Sequence, residues 1–395
     1  MKQKIVYCLI TCLLFTLIPM NGLCGYETDS GNNPEFVVAK DQNTPDSIDI
    51  LSPEELALID AMKDFLYDQV DMDKRILSTN ILADAVAALA FDVGFNSDSV
   101  IYGLIESIIS SGADDEQTQQ IKEWYNNLEN TSILSMAAYD IPTAQDIELF
   151  AQYIDNNSNK TIFLHHGYRT AVDEVYPQAK YFSENGYNVL IPEVRSHDNS
   201  GGKYISFGYY ESEDLNNWVN MELEKNPDQE LILYGVSMGA ATTLMAQEDT
   251  ASNVTSVIED CSYATLDQQL RDILQIITGY LQYIPGFHLI DWDAIESDLI
   301  HRLNNNHVKP VIKMDITDVS PLNSVADTEI PKLFFHGDAD TFIKPVALEL
   351  LYDNALGYKE YQYIAGAGHG ASFRTDPDTY TAKLEEFLAN VSALE

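Results

Sequence analysis

The pentapeptide GVSMG at residues 235–239 decides the fold of this chain, together with the segments on either side of it. Residues 231–234, Leu-Ile-Leu-Tyr, are typical of a short buried strand, and residues 240–246 are small and apolar enough for a buried helix. A Gly-x-Ser-x-Gly motif between a strand and a helix predicts a tight turn that lifts the serine hydroxyl out of a sheet. Glycines suit such a turn because they carry no Cβ atom. We predict that Ser237 is a nucleophile, with a purely structural turn as the alternative.

A serine hydroxyl is a weak nucleophile without a base and a group that orients the base. His369 lies in the stretch GAGHG, residues 366–370, directly after the last predicted strand, and we predict that it is the base. Asp340 follows the preceding strand and could hold His369 in the required tautomer, with Asp338, two residues earlier, as a competitor for that role. Ser237, Asp340 and His369 follow each other in the chain order expected for a catalytic triad in an α/β protein.

An oxyanion hole for this chemistry needs two backbone N–H groups near the serine. We predict that Met238, directly after the nucleophile, supplies one and that Tyr168, in the loop after residue 164, supplies the other. His165 and His166 lie in the same loop and raise the question of a metal site. No third ligand stands at metal spacing, so we predict no metal and no cofactor.

Composition limits the function classes. The chain has 395 residues, a hydrophobic fraction of 45% and a formal net charge of −40. Such acidity argues against nucleic acid and anionic membrane surfaces as partners, since both select Lys and Arg. Cys261 is the one cysteine beyond residue 24, so we expect a small buried thiol and no internal disulfide in the mature protein.

The amino-terminal quarter contains no chemical motif. Residues 1–24 have a basic start and a short apolar run, which predict a signal peptide removed near Cys24, with a lipid-modified Cys24 or an uncleaved membrane anchor as alternatives. Residues 25–50 are polar and predict a flexible linker. Residues 51–134 predict a set of about four helices, at about 56–70, 76–91, 99–110 and 114–130.

From residue 135 the pattern alternates between strands and helices, which predicts a mostly parallel central sheet with helices on both faces. The predicted strands are 136–141, 147–154, 161–164, 189–191, 231–234, 254–259, 333–336 and 361–364. The predicted helices between and after them are 175–185, 210–225, 240–246 and 379–391. Residues 262–330 are too long for one crossover and predict a helical lid over the site, with helices at about 266–280 and 292–303.

From about residue 135 to residue 391 the chain resembles the α/β-hydrolase superfamily. The most similar branch contains serine aminopeptidase-like, monoacylglycerol-lipase-like and cinnamoyl-ester-hydrolase-like proteins of bacteria. The stretches that carry the resemblance are HGYR (166–169), GYNVLIP (186–192), RSH (195–197), FG (207–208), GVSMGAA (235–241), EDC (259–261), HGDADTFI (336–343) and GAGH (366–369).

The resemblance implies an α/β-hydrolase domain over residues 135–395, with the lid at about 262–330. It implies Ser237 as nucleophile, Asp340 as acid, His369 as base, and Tyr168 and Met238 as oxyanion donors. It marks Arg195 and His197 as structural. Two features depart from the family: Ser196 stands where a glycine is usual, and the helices before residue 136 match nothing in it.

We therefore expect a secreted or cell-surface associated bacterial serine hydrolase that cleaves carboxylic esters. Its partner would be a small acyl ester or a short peptide, with no stable membrane insertion after signal cleavage. An acyltransferase on the same triad is one alternative. An aminopeptidase that binds a free amino terminus through the lid acids Asp291, Asp293 and Glu296 is another. A non-catalytic surface-binding module is the third. His288, His301 and His307 in the lid have open roles, at the surface or against substrate.

Overall fold

The computed structural model of this protein describes residues 57, 61, 79–103, 116–281 and 292–394. The predicted signal peptide and linker, residues 1–50, lie outside this range, as do most of the first and third predicted helices. The chain divides into two compact units, residues 1–85 with 100–112, and residues 86–99 with 113–395. In the smaller unit, the described stretches 79–85 and 100–103 are helical.

The larger unit contains an eight-stranded sheet with the order β1-β2-β4-β3-β5-β6-β7-β8. Its strands are β1 (Thr131–Asp140), β2 (Gln145–Ile154), β3 (Lys160–His165), β4 (Asn188–Glu193), β5 (Glu230–Val236), β6 (Val254–Asp260), β7 (Lys332–Gly337) and β8 (Lys359–Ile364). β2 pairs antiparallel with both of its neighbours, and every other described pair is parallel. The prediction of a mostly parallel sheet is confirmed.

Helices follow most of the strands. They are α1 (Thr79–Phe95), α2 (Glu116–Asn126), α3 (Tyr176–Glu184), α4 (Tyr209–Lys225), α5 (Met238–Ala246), α6 (Leu266–Leu281), α7 (Trp292–Arg302), α8 (Pro321–Val325), α9 (Val346–Asn354), α10 (Ser372–Thr375) and α11 (Pro377–Ser392). Short 3₁₀ turns cover Val172–Val175 and Ile316–Asp318. None of the helices within the described part of the chain combines the length and the apolar character needed to cross a membrane.

Two hydrophobic cores lie on opposite faces of the sheet. In β5, Ile232 and Tyr234 belong to one core, and Leu231 and Leu233 belong to the other. A strand that is buried on both faces has no polar alternation, which explains the continuous apolar run before the pentapeptide. Helices α3 and α11 contribute to the first core, and α4, α5 and α9 to the second, so helices cover both faces as predicted.

Several elements begin or end at other residues than predicted. β1 begins at Thr131 rather than residue 136, because Thr131 pairs with Ile154 and the strand matches the whole of β2. The predicted helix at 114–130 is shorter, Glu116–Asn126, and the helical region therefore ends before residue 134. The predicted helix at 76–91 is Thr79–Phe95, since the chain continues helical through Gly94 to a buried phenylalanine.

In its described residues, the segment between β6 and β7 contains α6, α7 and α8, in agreement with the predicted helices at about 266–280 and 292–303. The predicted helix at 292–303 does not stop there: a π-helix, Leu303–Ile312, continues it and contains Pro310. Leu303, Val308 and Ile312 are buried in a third core with residues of α4 and the loops around it. Burial of these three side chains favours continued helix over the stop that the proline predicts.

Candidate active site

Close backbone contacts surround the turn at Ser237. β5 ends at Val236, α5 begins at Met238, and Ser237 between them has φ 56° and ψ −117°, a conformation that costs energy in a residue with a side chain. A Cβ atom on Gly235 would lie 2.1 Å from the carbonyl oxygen of Gly239, and one on Gly239 would lie 2.1 Å from that of His165. Both glycines are therefore sterically required, and they allow β3, β5 and α5 to meet below the serine.

The structure brings Ser237, His369 and Asp340 together. His369 Nε2 lies 2.8 Å from Ser237 Oγ, and His369 Nδ1 lies 2.7 Å from Asp340 Oδ2. A carboxylate only accepts, so Nδ1 carries the proton and Nε2 is left to accept the serine proton. The loops that supply the acid and the imidazole follow β7 and β8 at the same sheet edge as the end of β5. This geometry suits nucleophilic catalysis by serine.

Asp340 is buried in a cradle of donors. Its Oδ1 accepts hydrogen bonds from the backbone N–H groups of Phe342 at 2.8 Å and Ile343 at 3.0 Å. Burial alone would raise the pKa of Asp340, but hydrogen bonds from His336 and His369 outweigh it and hold the pKa below the usual carboxyl range. Asp338, the competing acid, is exposed and accepts a 2.6 Å hydrogen bond from the Gly366 N–H, as a turn residue does.

A second imidazole lies behind the acid. The fully buried His336 has Nε2 2.9 Å from the carbonyl oxygen of Ile343 and 3.4 Å from Asp340 Oδ2, so that nitrogen donates. Burial raises the pKa of Glu259 to about 8, against the opposing effect of His336. His336 Nδ1 and Glu259 Oε1 are both buried without a hydrogen-bond partner. We assigned neither residue a role from the sequence, although His336 is the first residue of the HGDAD stretch that contains the acid.

The loop after β3, residues 166–170, lies against the serine. A Cβ atom on Gly167 would lie 3.4 Å from Ser237 Cβ. The Gly167 N–H donates to Glu174 Oε2 at 2.6 Å, and the Arg169 N–H donates to His197 Nε2 at 2.9 Å. Tyr168, the predicted second oxyanion donor, lies between these two anchored residues, and Met238 is the first residue of α5. Their use as oxyanion donors stays a prediction.

His165, the last residue of β3, and His166, the first residue of this loop, are both buried. His166 Nδ1 lies 3.0 Å from the Gly167 carbonyl oxygen, and its Nε2 accepts from the Val194 N–H at 3.2 Å. The rings of His165 and His166 are 6.1 Å apart between centroids. Burial lowers the pKa of His165 to about 4, so the ring is neutral near pH 7. Both nitrogens of His166 already serve the loop, which leaves that ring unsuited to a metal.

One group of side chains within the described residues has donor atoms close enough for a metal ion: Cys261, Asp340 and His369, all within 4.8 Å of one another. An ion there would compete with the hydrogen bond between Asp340 and His369. Burial raises the pKa of Cys261 well above its ordinary value, so the sulfur is a thiol rather than a metal-binding thiolate. The donors fit a triad better than a metal centre.

Arg195 and His197 bond to the scaffold. Arg195 is buried and forms a bidentate pair with Asp214, at 2.6 and 2.7 Å. His197 Nδ1 lies 2.9 Å from the carbonyl oxygen of Arg195. Ser196 between them has φ 64°, which explains why a glycine is usual at this position.

The residues that the sequence analysis named in the predicted lid differ in their contacts, and the lid itself stays a prediction. Glu296 is buried, 3.9 Å from Arg271 of α6, and is therefore paired with a cation of the protein itself. His301 is exposed and contacts Asn305, whereas the His307 ring stacks on Phe91 at 5.7 Å. Two lid residues, His288 and Asp291, lie outside the described residues, as does the side chain of Asp293.

The site and the sheet order agree with a known family. A family model described as alpha/beta hydrolase fold matches residues 160–314, from β3 through the π-helix. The chain has the α/β-hydrolase fold. An uncharacterised protein of Bacillus subtilis strain 168, YqkD, is 27% identical over 325 residues, which are 81% of this chain and 99% of YqkD.

Two solved structures illustrate what the chain is similar to. Esterase Pf2001 of Pyrococcus furiosus is 20% identical, with a TM-score of 0.50, and the match covers 71% of this chain and 95% of that one. The α/β-hydrolase GrgF of Penicillium sp. sh18 is 17% identical, with a TM-score of 0.48, over 66% of this chain and 99% of GrgF.

Proposed function

We propose that this protein is a serine hydrolase that cleaves carboxylic esters through an acyl-enzyme on Ser237. The observation that carries the proposal is the unbroken line of hydrogen bonds from Ser237 Oγ through His369 to Asp340, at 2.8 and 2.7 Å. The α/β-hydrolase fold and the esterase among the structures of the same fold support it.

Each residue has a step in this mechanism. His369 Nε2 accepts the proton of the Ser237 hydroxyl as Oγ attacks the ester carbonyl carbon, and it returns that proton to the leaving alcohol. Asp340 stabilises the imidazolium and holds its tautomer. The backbone N–H groups of Met238 and Tyr168 stabilise the oxyanion. A water molecule, deprotonated by His369, then releases the acyl group. None of these steps requires a cofactor.

Esters are favoured over peptides with a free amino terminus by the surroundings of Glu296, one of the three acids that could bind such a terminus. A peptide ammonium group needs a carboxylate that it can reach. Glu296 is buried, and its Oε1 lies 3.9 Å from Arg271 Nη1, so a cation of the protein already lies near it. An acyltransferase would share the acyl-enzyme and differ in the acceptor that resolves it.

The test is a comparison of the wild type with Ser237→Ala, using a short-chain nitrophenyl ester and a fluorophosphonate probe. We expect turnover to fall by roughly 10⁴-fold or more, because the nucleophile is lost, and labelling to disappear. Equal turnover by the variant would contradict the proposal. A wild type that neither turns over the ester nor reacts with the probe would favour a non-catalytic binding module. Product analysis with an added alcohol separates hydrolysis from acyl transfer.

We also propose export to the cell surface or medium, on the basis of the basic and apolar start of the chain. Fractionation of the native host with an antibody to the protein tests this. Recovery of the full-length chain from the cytoplasm would contradict it.

A further inference from the structure

Glu174 is a carboxylate beside the reacting groups that the proposed mechanism does not use. It lies in the 3₁₀ turn Val172–Val175, directly after the loop of residues 166–170. A Cβ atom on Gly167 would lie 3.1 Å from Glu174 Oε2, and one on Gly370, next to the catalytic imidazole, would lie 3.9 Å from Oε1. The carboxylate thus reaches both the loop that faces Ser237 and the loop that holds His369.

We propose that Glu174 is a positioning residue for the oxyanion-stabilising loop, residues 166–170. This inference rests on the proposed esterase function, because it assigns Glu174 a part in stabilising the transition state of that reaction.

The contacts form a closed ring around one residue, Gly167. Glu174 Oε2 accepts from the Gly167 N–H at 2.6 Å and lies 2.8 Å from Thr170 Oγ1. The same hydroxyl is 3.0 Å from the carbonyl oxygen of Gly167. The Thr170 hydroxyl therefore lies between the carboxylate and that carbonyl and can donate its proton to either.

Fixing Gly167 also fixes the next amide. The Gly167 carbonyl and the Tyr168 N–H belong to one planar trans peptide, so the two bonds point in opposite directions. The groups that hold the carbonyl oxygen, Thr170 Oγ1 and His166 Nδ1, thereby set the direction of the Tyr168 N–H. Glu174 accepts from the Gly167 N–H, so losing the carboxylate would release Gly167 on its amino side and loosen the peptide that follows it.

The charge of the Glu174 carboxylate is a second contribution, beside its hydrogen bonds. Burial raises the pKa of Glu174, whereas the Gly167 N–H, the Thr170 hydroxyl, His369 and Arg374 act in the opposite direction. A carboxylate near His369 also favours the imidazolium that forms as Ser237 attacks. An amide at this position would keep an acceptor for the Gly167 N–H and lose the charge.

The test compares Glu174→Ala, Glu174→Gln and the control Asp173→Asn in the full chain. Asp173 is the adjacent acid of the same turn, and it pairs with Lys122 at 2.7 Å instead. Initial rates with a short-chain nitrophenyl ester give kcat and KM, and inhibition by an alkyl boronic acid, which forms a tetrahedral adduct on the serine, reports the affinity for the transition-state geometry.

We expect Glu174→Ala to lower kcat about 100-fold with little change in KM, the size of losing one oxyanion donor, and to weaken the boronate in parallel. Glu174→Gln should recover part of kcat, and Asp173→Asn should match the wild type.

A lower melting temperature with unchanged kcat and boronate affinity in either Glu174 variant would overturn the proposal. If Glu174→Ala does not fold, Glu174→Gln decides: wild-type kcat and boronate affinity overturn the proposal, and a parallel loss of both supports it. A wild type without ester turnover would remove the proposed function itself, which is a different result.

Discussion

The serine turn and the histidine loop contain the same residue type, glycine, but for different reasons. At Gly235 and Gly239, an added Cβ atom would lie 2.1 Å from a backbone oxygen. At Gly366 and Gly368, it would meet nothing within 4 Å. Ser237 is thus positioned by main-chain packing, whereas the His369 imidazole is positioned by its hydrogen bonds with the side chains of Asp340 and Ser237. Substitutions in the serine turn, the main-chain half of the site, should therefore lower stability. Substitutions of the side chains around His369, the side-chain half, should lower activity and leave the fold intact.

The largest effect should come from the side-chain half. Asp340→Asn keeps an oxygen for the N–H groups of Phe342 and Ile343, so the fold should be retained. Its amide would donate toward His369 Nδ1 and impose the wrong tautomer, and kcat should fall about 10⁴-fold. Steady-state kinetics and circular dichroism measure the two outcomes. Asp338→Asn is the control, and a fall of the same size there would make Asp338 the acid.

The main-chain half is tested by Gly239→Ala. The new methyl group would overlap the carbonyl oxygen of His165, and the backbone must shift to relieve it. Overpacking of this kind costs about 1–3 kcal/mol or more of stability, and displacement of the serine should lower kcat as well. Thermal unfolding and ester turnover should both change. An alanine variant with wild-type stability would contradict the conclusion that main-chain packing positions the serine turn.

The next effect depends on pH and comes from the buried Glu259. Burial raises the pKa of Glu259 from 4.5 to about 8, so the folded protein holds this proton more tightly than the unfolded chain. Unfolding releases the proton, and the free energy of unfolding should therefore fall as the pH rises from about 4.5 to about 8. Glu259→Gln should flatten that slope in melting temperatures measured across this range. An unchanged slope would mean that Glu259 is ionised in the folded state.

The smallest effect is expected at Gly368, the residue directly before His369. Gly368→Ala should change stability by no more than about 0.5 kcal/mol and leave kcat within about twofold, because the added methyl group meets open space. The same stability and rate measurements apply. A large loss would show that the histidine loop is as closely packed as the serine turn.

The sequence was informative where function depends on motif spacing. The pentapeptide, the HGDAD turn and the GAGHG loop each follow a strand of a parallel sheet, and such strands end at one edge, so convergence of Ser237, Asp340 and His369 followed from the topology. The core strands were predicted for the same reason, since residues buried on both faces are apolar throughout.

The sequence was uninformative where a residue acquires its role from a distant contact. Glu174 and Glu259 are two among 62 acidic residues, and nothing in their local pattern shows that the fold places them beside the site. The start of β1 depends on its pairing with β2. The π-helix after α7 depends on the burial of three side chains that compete with Pro310, which local propensity cannot weigh.

The carboxyl end of α1 determines how far the protein can be shortened. The Tyr168 hydroxyl donates to the carbonyl oxygen of Gly94 at 2.9 Å, and the Arg169 guanidinium donates to those of Asn96 and Val93 at 2.6 and 3.1 Å. A fragment that begins at β1 would contain every triad residue and the whole sheet. It would also remove these two main-chain acceptors of the guanidinium and the one that receives the Tyr168 hydroxyl. We therefore expect the smallest fragment that keeps the proposed activity to extend upstream of the recognisable motifs.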